Sequence, residues 1–458
     1  MKKCYVLMLL CLAGLTVISN CGYAEPNESK TTAEKTFEQR LSELEQRLLA
    51  LENQLLIERR KSEQTQAALE KSEAELDSLK KVRFSNTGDT TSPEQVRQMI
   101  DTQLDARKDE LAVPEWVRNM QIAGDLRYRF EQTYDNSKSY DRNRNRIRAR
   151  VGLYGKSGDE FDYGFRIATG NDEAPTATNQ DLGDSFSKKQ LWLDLAYIDY
   201  HPRFLPGSNI IGGKIKNPYY AVGTGDLLFD KDVNPEGIAV KYSHRFNGTT
   251  DIFAVAGGYC LEERNTEAET SLWGFQAGIR HAFDKDKKTN LVLGAGYYDY
   301  GNLKGTTLSF DAGNFFGNTS SGGTFASDFT IVQGFAEFGF EYDKLPVKLF
   351  FDYANNIRCN TGSDTAWLTG FTVGRNKKPG DWQLGYSYRT VEADSIVGVL
   401  AERTFGGGGT DVKGHTLGIG YRVSEDVNLS AAYIKAHRTR NGTTYEHDVV
   451  LTDLVLKF

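Results

Sequence analysis

Five arginines stand at every second position of one short segment. The set is Arg142, Arg144, Arg146, Arg148 and Arg150. Side chains two positions apart share one face of a β-strand, so a strand here would carry all five guanidinium groups on one side. Its other side would carry Ile147, Ala149, Val151 and Leu153. Guanidinium groups bind anions through charge and paired hydrogen bonds, so the segment predicts contact with charged or polar solutes.

More basic residues follow the same alternation on neighbouring predicted strands. They are Arg127, Arg129, Arg166, Lys214, Lys216, Lys241 and Arg245. A run of arginines would be very costly against lipid, so the basic face should point to a polar interior and the apolar face to a membrane. The sequence therefore predicts a basic wall inside a barrel. The fourth strand fits least well, because Trp192 and Ile198 blur its alternation.

The elements that would carry this wall are long strands. From residue 119 to residue 458, apolar residues alternate with polar or small ones in segments of about 10 to 14 residues, which is long enough to cross a bilayer. Strands of a soluble sandwich are nearer five or six residues. Predicted strand starts lie near 121, 145, 160, 190, 209, 237, 250, 272, 289, 329, 346, 365, 381, 414, 426 and 447. We predict an all-β transmembrane antiparallel β-barrel of about 16 strands.

The links between these strands alternate in length. Short links fall near residues 157–159, 247–248, 343–346 and 424–426, and longer ones at 134–144, 171–189, 217–236, 303–328 and 392–413. Bacterial outer-membrane barrels keep short turns in the periplasm and long loops outside. An even number of strands also leaves both barrel ends at the short-turn rim. Any segment before the barrel is therefore predicted to lie in the periplasm.

The last strand ends on an aromatic residue. Val450, Leu454, Leu456 and Phe458 share one face of it. This resembles the C-terminal signal through which the barrel-assembly machinery recognises outer-membrane proteins. We therefore predict that Phe458 is an assembly signal.

The N-terminus is typical of an exported protein. Lys2 and Lys3 precede an apolar stretch, and Ala24 ends a possible cleavage site, which predicts a signal peptide over residues 1–24. A lipoprotein site at Cys21 is the alternative. Cleavage after Ala24 would leave only Cys260 and Cys359, as two isolated thiols or one incidental bridge.

Residues 33–81 differ from the rest in composition, and the heptad spacing of their apolar residues predicts an α-helical coiled-coil stalk. The seam runs through Phe37, Leu41, Leu44, Leu48, Leu51 and Leu55 and resumes at Leu69, Leu76 and Leu79. It does not choose between dimer and trimer, and a single charged, frayed helix is the alternative. Residues 82–118 form a predicted helical connector, with a capped start at Ser92 and Pro93.

Signals for an enzyme are weak. The sequence has no G-x-S-x-G, H-E-x-x-H or phosphate-loop motif, and its six histidines lack metal-ligand spacing. Residues 406–409 are four glycines, which we expect to form a flexible external loop rather than a nucleotide cradle. We expect no catalytic residue, no metal or other cofactor and no nucleic-acid partner.

Several motifs resemble one family of bacterial outer-membrane proteins. They are the segments 124–129, 165–171, 212–218 and 234–237, together with the arginine-rich second strand. The chain resembles the "putative porin" family over roughly residues 119–458. The resemblance implies a passive diffusion channel that is usually oligomeric, and it carries no agreed functional residues.

The third long link combines apolar residues with four acids, Asp226, Asp230, Asp232 and Glu236. In sixteen-stranded porins this loop folds into the channel. We therefore expect the four acids to face the basic wall across a constriction, where a transverse field would favour polar solutes. The alternative is that the arginines and acids neutralise each other in a wet lumen.

These observations predict an outer-membrane porin for passive diffusion of small hydrophilic solutes or ions. One alternative is a substrate- or anion-selective channel that uses the arginines. Another is a structural anchor that tethers the envelope through the coiled coil. Expected partners are outer-membrane lipid, the barrel-assembly machinery, further copies of the chain (a trimer favoured) and peptidoglycan or another periplasmic contact of the stalk.

Overall fold

The computed structural model describes residues 119–171, 174–223, 225–286 and 288–458. Sixteen long strands make up this part of the chain. They are β1 Gln121–Asp135, β2 Arg142–Ser157, β3 Phe161–Thr169, β4 Leu191–Tyr200, β5 Ser208–Lys214, β6 Glu236–Arg245, β7 Thr250–Glu262, β8 Thr270–Ala282, β9 Asn290–Gly301, β10 Phe329–Tyr342, β11 Leu345–Asn356, β12 Thr365–Gly374, β13 Trp382–Val391, β14 Val412–Arg422, β15 Val427–Arg440 and β16 Thr443–Lys457.

Each long strand pairs antiparallel with the next one along the chain, and β16 pairs with β1 to close a barrel. The closing register runs from Asp125 opposite Lys457 to Asp135 opposite His447. Every strand starts within four residues of its predicted start. The predicted antiparallel barrel of 16 strands is confirmed. The signal peptide, the coiled coil and the helical connector lie outside the described residues.

Alternation along β1 separates the two faces of the wall. Leu126 and Tyr128 are each 47% exposed, whereas Arg127 is 6% and Arg129 is 7% exposed. Their paired positions on β2 follow suit, with Arg148 opposite Arg127 and Ile147 opposite Tyr128. Large apolar side chains therefore cover the outside and charged ones point inward, as a membrane barrel requires. No helix among the described residues is long and apolar enough to span a membrane.

A β-bulge explains the irregular alternation of the fourth strand. Arg166 pairs with Leu195, but the next residue, Ile167, pairs with Leu193, so the residue between them, Asp194, has no opposite partner in this register. An extra residue reverses the parity of the strand. Leu193 therefore faces outward before the bulge and Ile198 faces outward after it, with 50% and 60% of each exposed.

The two rims of the barrel differ in their links, because all the long links lie on one rim. Links on one rim have two to seven residues; the shortest is the turn at Asp343 and Lys344, both with positive φ. The other rim carries the long links 170–190, 215–235, 302–328 and 392–411, but also the two-residue turn 441–442. We name these four long links L2, L3, L5 and L7. Within L2, the short strand Gln180–Leu182 pairs with β2.

L3, L5 and L7 fold into the barrel and pack against each other. Phe405 in L7 is 1% exposed, and the Phe316 carbonyl of L5 accepts a hydrogen bond from the Thr410 N–H (2.7 Å). A Cβ on Gly409 would lie 1.9 Å from the Phe316 oxygen. The expected flexible external loop at residues 406–409 is therefore wrong, because its glycines permit close backbone contact inside the barrel.

The two cysteines of the described chain are free thiols. Cys260 is exposed on β7 and Cys359 is half-buried in the link after β11. The structure thus has two isolated thiols rather than a disulfide bridge between them.

Barrel closure leads to a stability prediction at Gly124. Its N–H donates to the Phe458 carbonyl (2.9 Å), and a Cβ there would lie 2.1 Å from the Arg150 carbonyl oxygen. Gly124→Val should therefore destabilise the barrel by about 1–3 kcal/mol, the usual cost of overpacking. The measurement is the temperature at which the folded, heat-modifiable species disappears on gel electrophoresis.

The matched control is Gly334→Val on β10, where a Cβ would meet no atom within 4 Å. Valine suits a strand position that faces outward. This variant should melt at the wild-type temperature or above it. Equal melting temperatures for the two variants would contradict the role given to Gly124.

Candidate functional site

A cavity of about 860 Å³ lies inside the barrel along β1, β2 and β13 to β16, bordered by L2, L3 and L7. Charged side chains dominate its lining. Among the described residues, ten are basic (Arg127, Arg129, Lys138, Arg142, Arg144, Arg146, Lys231, Arg389, Arg403 and Arg438) and eight are acidic (Glu131, Asp135, Asp181, Asp226, Asp230, Asp232, Glu402 and Asp453). Charges of both signs therefore surround a polar cavity.

We call Arg142, Arg144, Arg146, Arg148 and Arg150 of β2 the arginine ladder. Its half nearer the long-link rim is paired with carboxylates. Glu131 on β1 forms ion pairs with Arg144 and with Arg146, the second at 3.0 Å. Asp181 on the short strand of L2 binds Arg146 at 2.6 Å and Arg144 at 3.3 Å. These four side chains form a compensated cluster, which is what buried charges require.

The inner half follows the same pattern. Asp125 forms ion pairs with Arg148 and with Arg150, each at 2.7 Å. On the other side of β1, Arg129 binds Asp453 of β16 through two hydrogen bonds of 2.6 and 2.7 Å. The predicted arginines Arg129, Arg144, Arg146, Arg148 and Arg150 thus lie on the inward face in ion pairs, rather than as a uniformly basic wall.

Two further arginines complete the wall. Arg166 on β3 binds Asp194 at 2.5 Å, the residue that the β4 bulge turns inward. Arg127 is nearly fully buried and donates to the side-chain oxygen of Asn179 instead of a carboxylate. Among the described arginines of the wall, Arg127 therefore has the charge that is least neutralised at close range.

L3 crosses the barrel and is held against the far wall. The Tyr220 hydroxyl and the Gly223 N–H both donate to Glu337 of β10, and the Tyr220 N–H donates to Gln276 of β8 (2.7 Å). At Gly225, a Cβ would lie 2.0 Å from Leu368 of β12. The apolar half of L3 thus fills the space next to β7 to β12, and the cavity remains on the arginine side.

Three of the four predicted constriction acids lie on L3 inside the barrel. Asp232 is 3.6 Å from Arg150 and accepts the Thr178 hydroxyl at 3.0 Å. Asp230 accepts the backbone N–H of Arg403 at 3.1 Å, and Asp226 is 3.7 Å from Lys231. These acids border the cavity but are themselves largely buried.

Glu236 and Lys214 require a correction. They pair with each other at 2.5 Å, and their register positions fall on the parity of Ile238 and Ile210, which face outward. Both therefore lie on the outward parity of the wall where L3 leaves it, and they line a second cavity of about 400 Å³ rather than the one beside the arginines. Alternation misassigns Lys214 because the apolar residues of the opposite parity, Ile211 and Ile215, face inward and are buried in the apolar cluster with L3. Glu236 is predicted in the constriction as the last residue of the acidic link, but it is the first residue of β6.

The remaining basic predictions lie away from the cavity. Lys241 is half-buried with inward parity on β6, and Lys216 is exposed at the start of L3. Arg245 binds Asp251 at 2.7 Å at the short-link rim. None of the three lines the cavity beside the arginine ladder. Phe458 is 52% exposed, next to Gly124.

Sequence reasoning missed the carboxylates that neutralise the ladder. Asp125 and Glu131 share the parity of Arg127 on β1, and they stand directly opposite Arg150 and Arg144. That shared parity was a readable signal. Asp181, Arg389, Glu402 and Lys231 lie in links or on distant strands, where periodicity gives no register.

The chain has been compared with solved structures. The chain is similar to OprB of Pseudomonas putida, with a TM-score of 0.51 and 10% identity over 77% of this chain and 96% of that one. A triple mutant of the Rhodopseudomonas blastica porin gives a TM-score of 0.42 at 11% identity, covering 74% of this chain and 100% of that one. The first likeness supports the barrel fold alone.

Sequence comparisons add the family. A segment of 63 residues is 41% identical to Porin O of Pseudomonas aeruginosa, which is 13% of this chain and 14% of that protein. The match thus spans about one seventh of the curated relative. A family described as "Putative porin" matches residues 135–333 and 324–458, most of the chain. The chain belongs to this porin family.

Proposed function

We propose that this outer-membrane porin lets small hydrophilic solutes and ions diffuse passively through its lumen. One observation carries the proposal: a cavity of about 860 Å³ runs along a wall whose inward face is charged and hydrogen-bonded. A passage lined with charged groups replaces part of the hydration of a polar solute and offers little to an apolar one. The long-link rim would face outside and the short-link rim the periplasm.

The pairing of the wall supports passage of many solutes rather than tight capture of one. Arg148 and Arg150 share Asp125, and Arg129 binds Asp453. A guanidinium that already holds a carboxylate has fewer donors and less net charge for a passing anion. The wall therefore stays polar without forming a single deep site.

Anion selectivity is the second candidate. It is favoured by the excess of ten basic over eight acidic side chains in the described lining, and by Arg127, which donates to Asn179 rather than to a carboxylate. Loss of anion preference on neutralising Arg146 and Arg148 would favour this candidate. A structural anchor is the third, and it depends on the predicted stalk.

Further parts of the proposal concern partners. We propose assembly by the barrel-assembly machinery, with Phe458 as its signal, and a homo-oligomer, with a trimer favoured. The stalk would reach peptidoglycan or another periplasmic partner. These proposals rest on the sequence patterns and on membership of a porin family.

Channel conductance is the direct test. Purified folded protein added to a planar bilayer should produce discrete, ohmic current steps in potassium chloride, because the polar cavity admits hydrated ions. The same protein after heat denaturation is the control and should give none. Absence of steps from protein that is folded by gel shift would overturn the porin proposal.

Deleting residues 33–111 separates transport from tethering. If the stalk has a structural role, the shortened protein should conduct as the full chain does, while the outer membrane detaches more readily from the cell wall. The measurement pairs bilayer conductance with release of outer-membrane vesicles. Unchanged vesicle release would remove the tethering proposal.

The contact between L3 and L7 should depend on pH. Burial, with Glu402 and Asp232 close by, raises the pKa of Asp230 to about 7. The contact is therefore strongest when Asp230 is protonated, and its stability is lost as the pH rises through about 7. We expect brief interruptions of the single-channel current to be more frequent at pH 8.5 than at pH 5.5.

Asp230→Asn cannot ionise and should show equally few interruptions at both pH values. The matched control is Asp286→Asn, which removes an exposed carboxylate on the opposite rim. This control should keep the wild-type pH dependence. A pH dependence that survives in Asp230→Asn would show that another group is responsible.

A further inference from the structure

Lys231 is the charged group of L3 that projects into the cavity. Its side chain is 63% exposed, whereas those of Asp226 and Asp232 are 12% and 6% exposed. The residue Asp230 is 5% exposed. The segment that looks acidic in sequence therefore presents a lysine to the passage.

A turn produces this arrangement. The Val233 N–H donates to the Asp230 carbonyl oxygen at 3.0 Å, and the Asp232 N–H donates to the Asp230 side chain at 2.8 Å. Aspartate commonly closes such turns with its own side chain. Lys231 is the second residue of the turn, so its side chain points away from the segment that the turn closes.

The carboxylates next to Lys231 already bind other groups of the protein. Asp230 also accepts the Arg403 N–H, and Asp232 accepts the Thr178 hydroxyl at 3.0 Å and lies 3.6 Å from Arg150. Asp226 lies 3.7 Å from the Lys231 ammonium group and is far less exposed than that lysine. The Lys231–Asp226 pair is thus a dipole with its positive end toward the passage.

We infer that Lys231 gives the passage a preference for small anions. The inference rests on the proposed channel function and names the residue that sets its selectivity. Opposite L3, the ladder arginines are largely matched by wall carboxylates, so their fields cancel at short range. An exposed ammonium group in a narrow passage is hydrated, yet close enough to act on each passing ion.

The experiment measures reversal potentials across a potassium chloride gradient for single channels in a planar bilayer. Wild-type protein should pass chloride in preference to potassium. Lys231→Gln should lower the ratio of chloride to potassium permeability roughly 16-fold, because one charge about 5 Å from the ion in water changes the partitioning of chloride and of potassium about fourfold each, in opposite directions. Lys231→Arg should keep the wild-type ratio, because it keeps the charge.

Two further variants test whether the charge of Lys231 causes the chloride preference. Asp226→Asn removes the buried partner of Lys231 and should raise the chloride preference. Lys216→Gln removes an exposed lysine of the same loop that is not part of the described cavity lining, and it should leave the ratio unchanged.

The outcomes separate this inference from the proposed function. Folded protein without any conductance would contradict the channel itself. Conductance with a permeability ratio that Lys231→Gln leaves unchanged would overturn the inference and leave the channel standing. A cation-preferring wild type would also overturn the inference.

Discussion

The register between β1 and β2 is the constraint on which the rest of the lumen depends. It sets Asp125 opposite Arg150 and Glu131 opposite Arg144, so each carboxylate reaches two arginines of the ladder. A shift by one residue would reverse the faces of the strand and turn guanidinium groups toward lipid. Pairing of these charges is what allows so many arginines to be buried along one wall.

On the opposite side of the barrel, L3 fills the lumen and needs hydrogen-bond partners. L3 brings apolar residues and an intervening polar segment into the lumen, and its backbone groups need partners there. Gln276 and Glu337 supply those partners, and glycines at 223 and 225 leave room for Phe350 and Leu368. The cavity is thereby confined to the side of the barrel where the ion-paired arginines lie.

Periodicity predicted the strands because each of them must alternate between lipid and lumen, and this holds for every residue along it. The inward position of Arg127, Arg129, Arg146 and Arg148 followed from the same rule. The bulge at Asp194 broke the rule locally on β4, and on β5 the rule failed because Ile211 and Ile215 face inward and are buried in the apolar cluster with L3. Because Leu193 and Leu195 on either side of Asp194 are both apolar, a pattern of period two could not place the bulge.

The conformation of the long links could not be predicted from the sequence, for a different reason. Lys231 and the acids around it are placed by contacts with residues far away in the chain, such as Asp230 with Arg403 and Tyr220 with Gln276. Composition identified L3 as acidic, but exposure depends on which way each side chain points. Although this link carries four acids in the sequence, its most exposed charged side chain at the cavity is Lys231.

We propose that an open, polar passage runs between L3 and the arginine ladder. Swelling of liposomes that contain the protein, measured with neutral sugars of increasing size, tests this claim most directly because it does not depend on charge. The account predicts rapid entry of the smallest sugars and slower entry as size increases. Liposomes with folded protein that swell no faster than protein-free liposomes would contradict it.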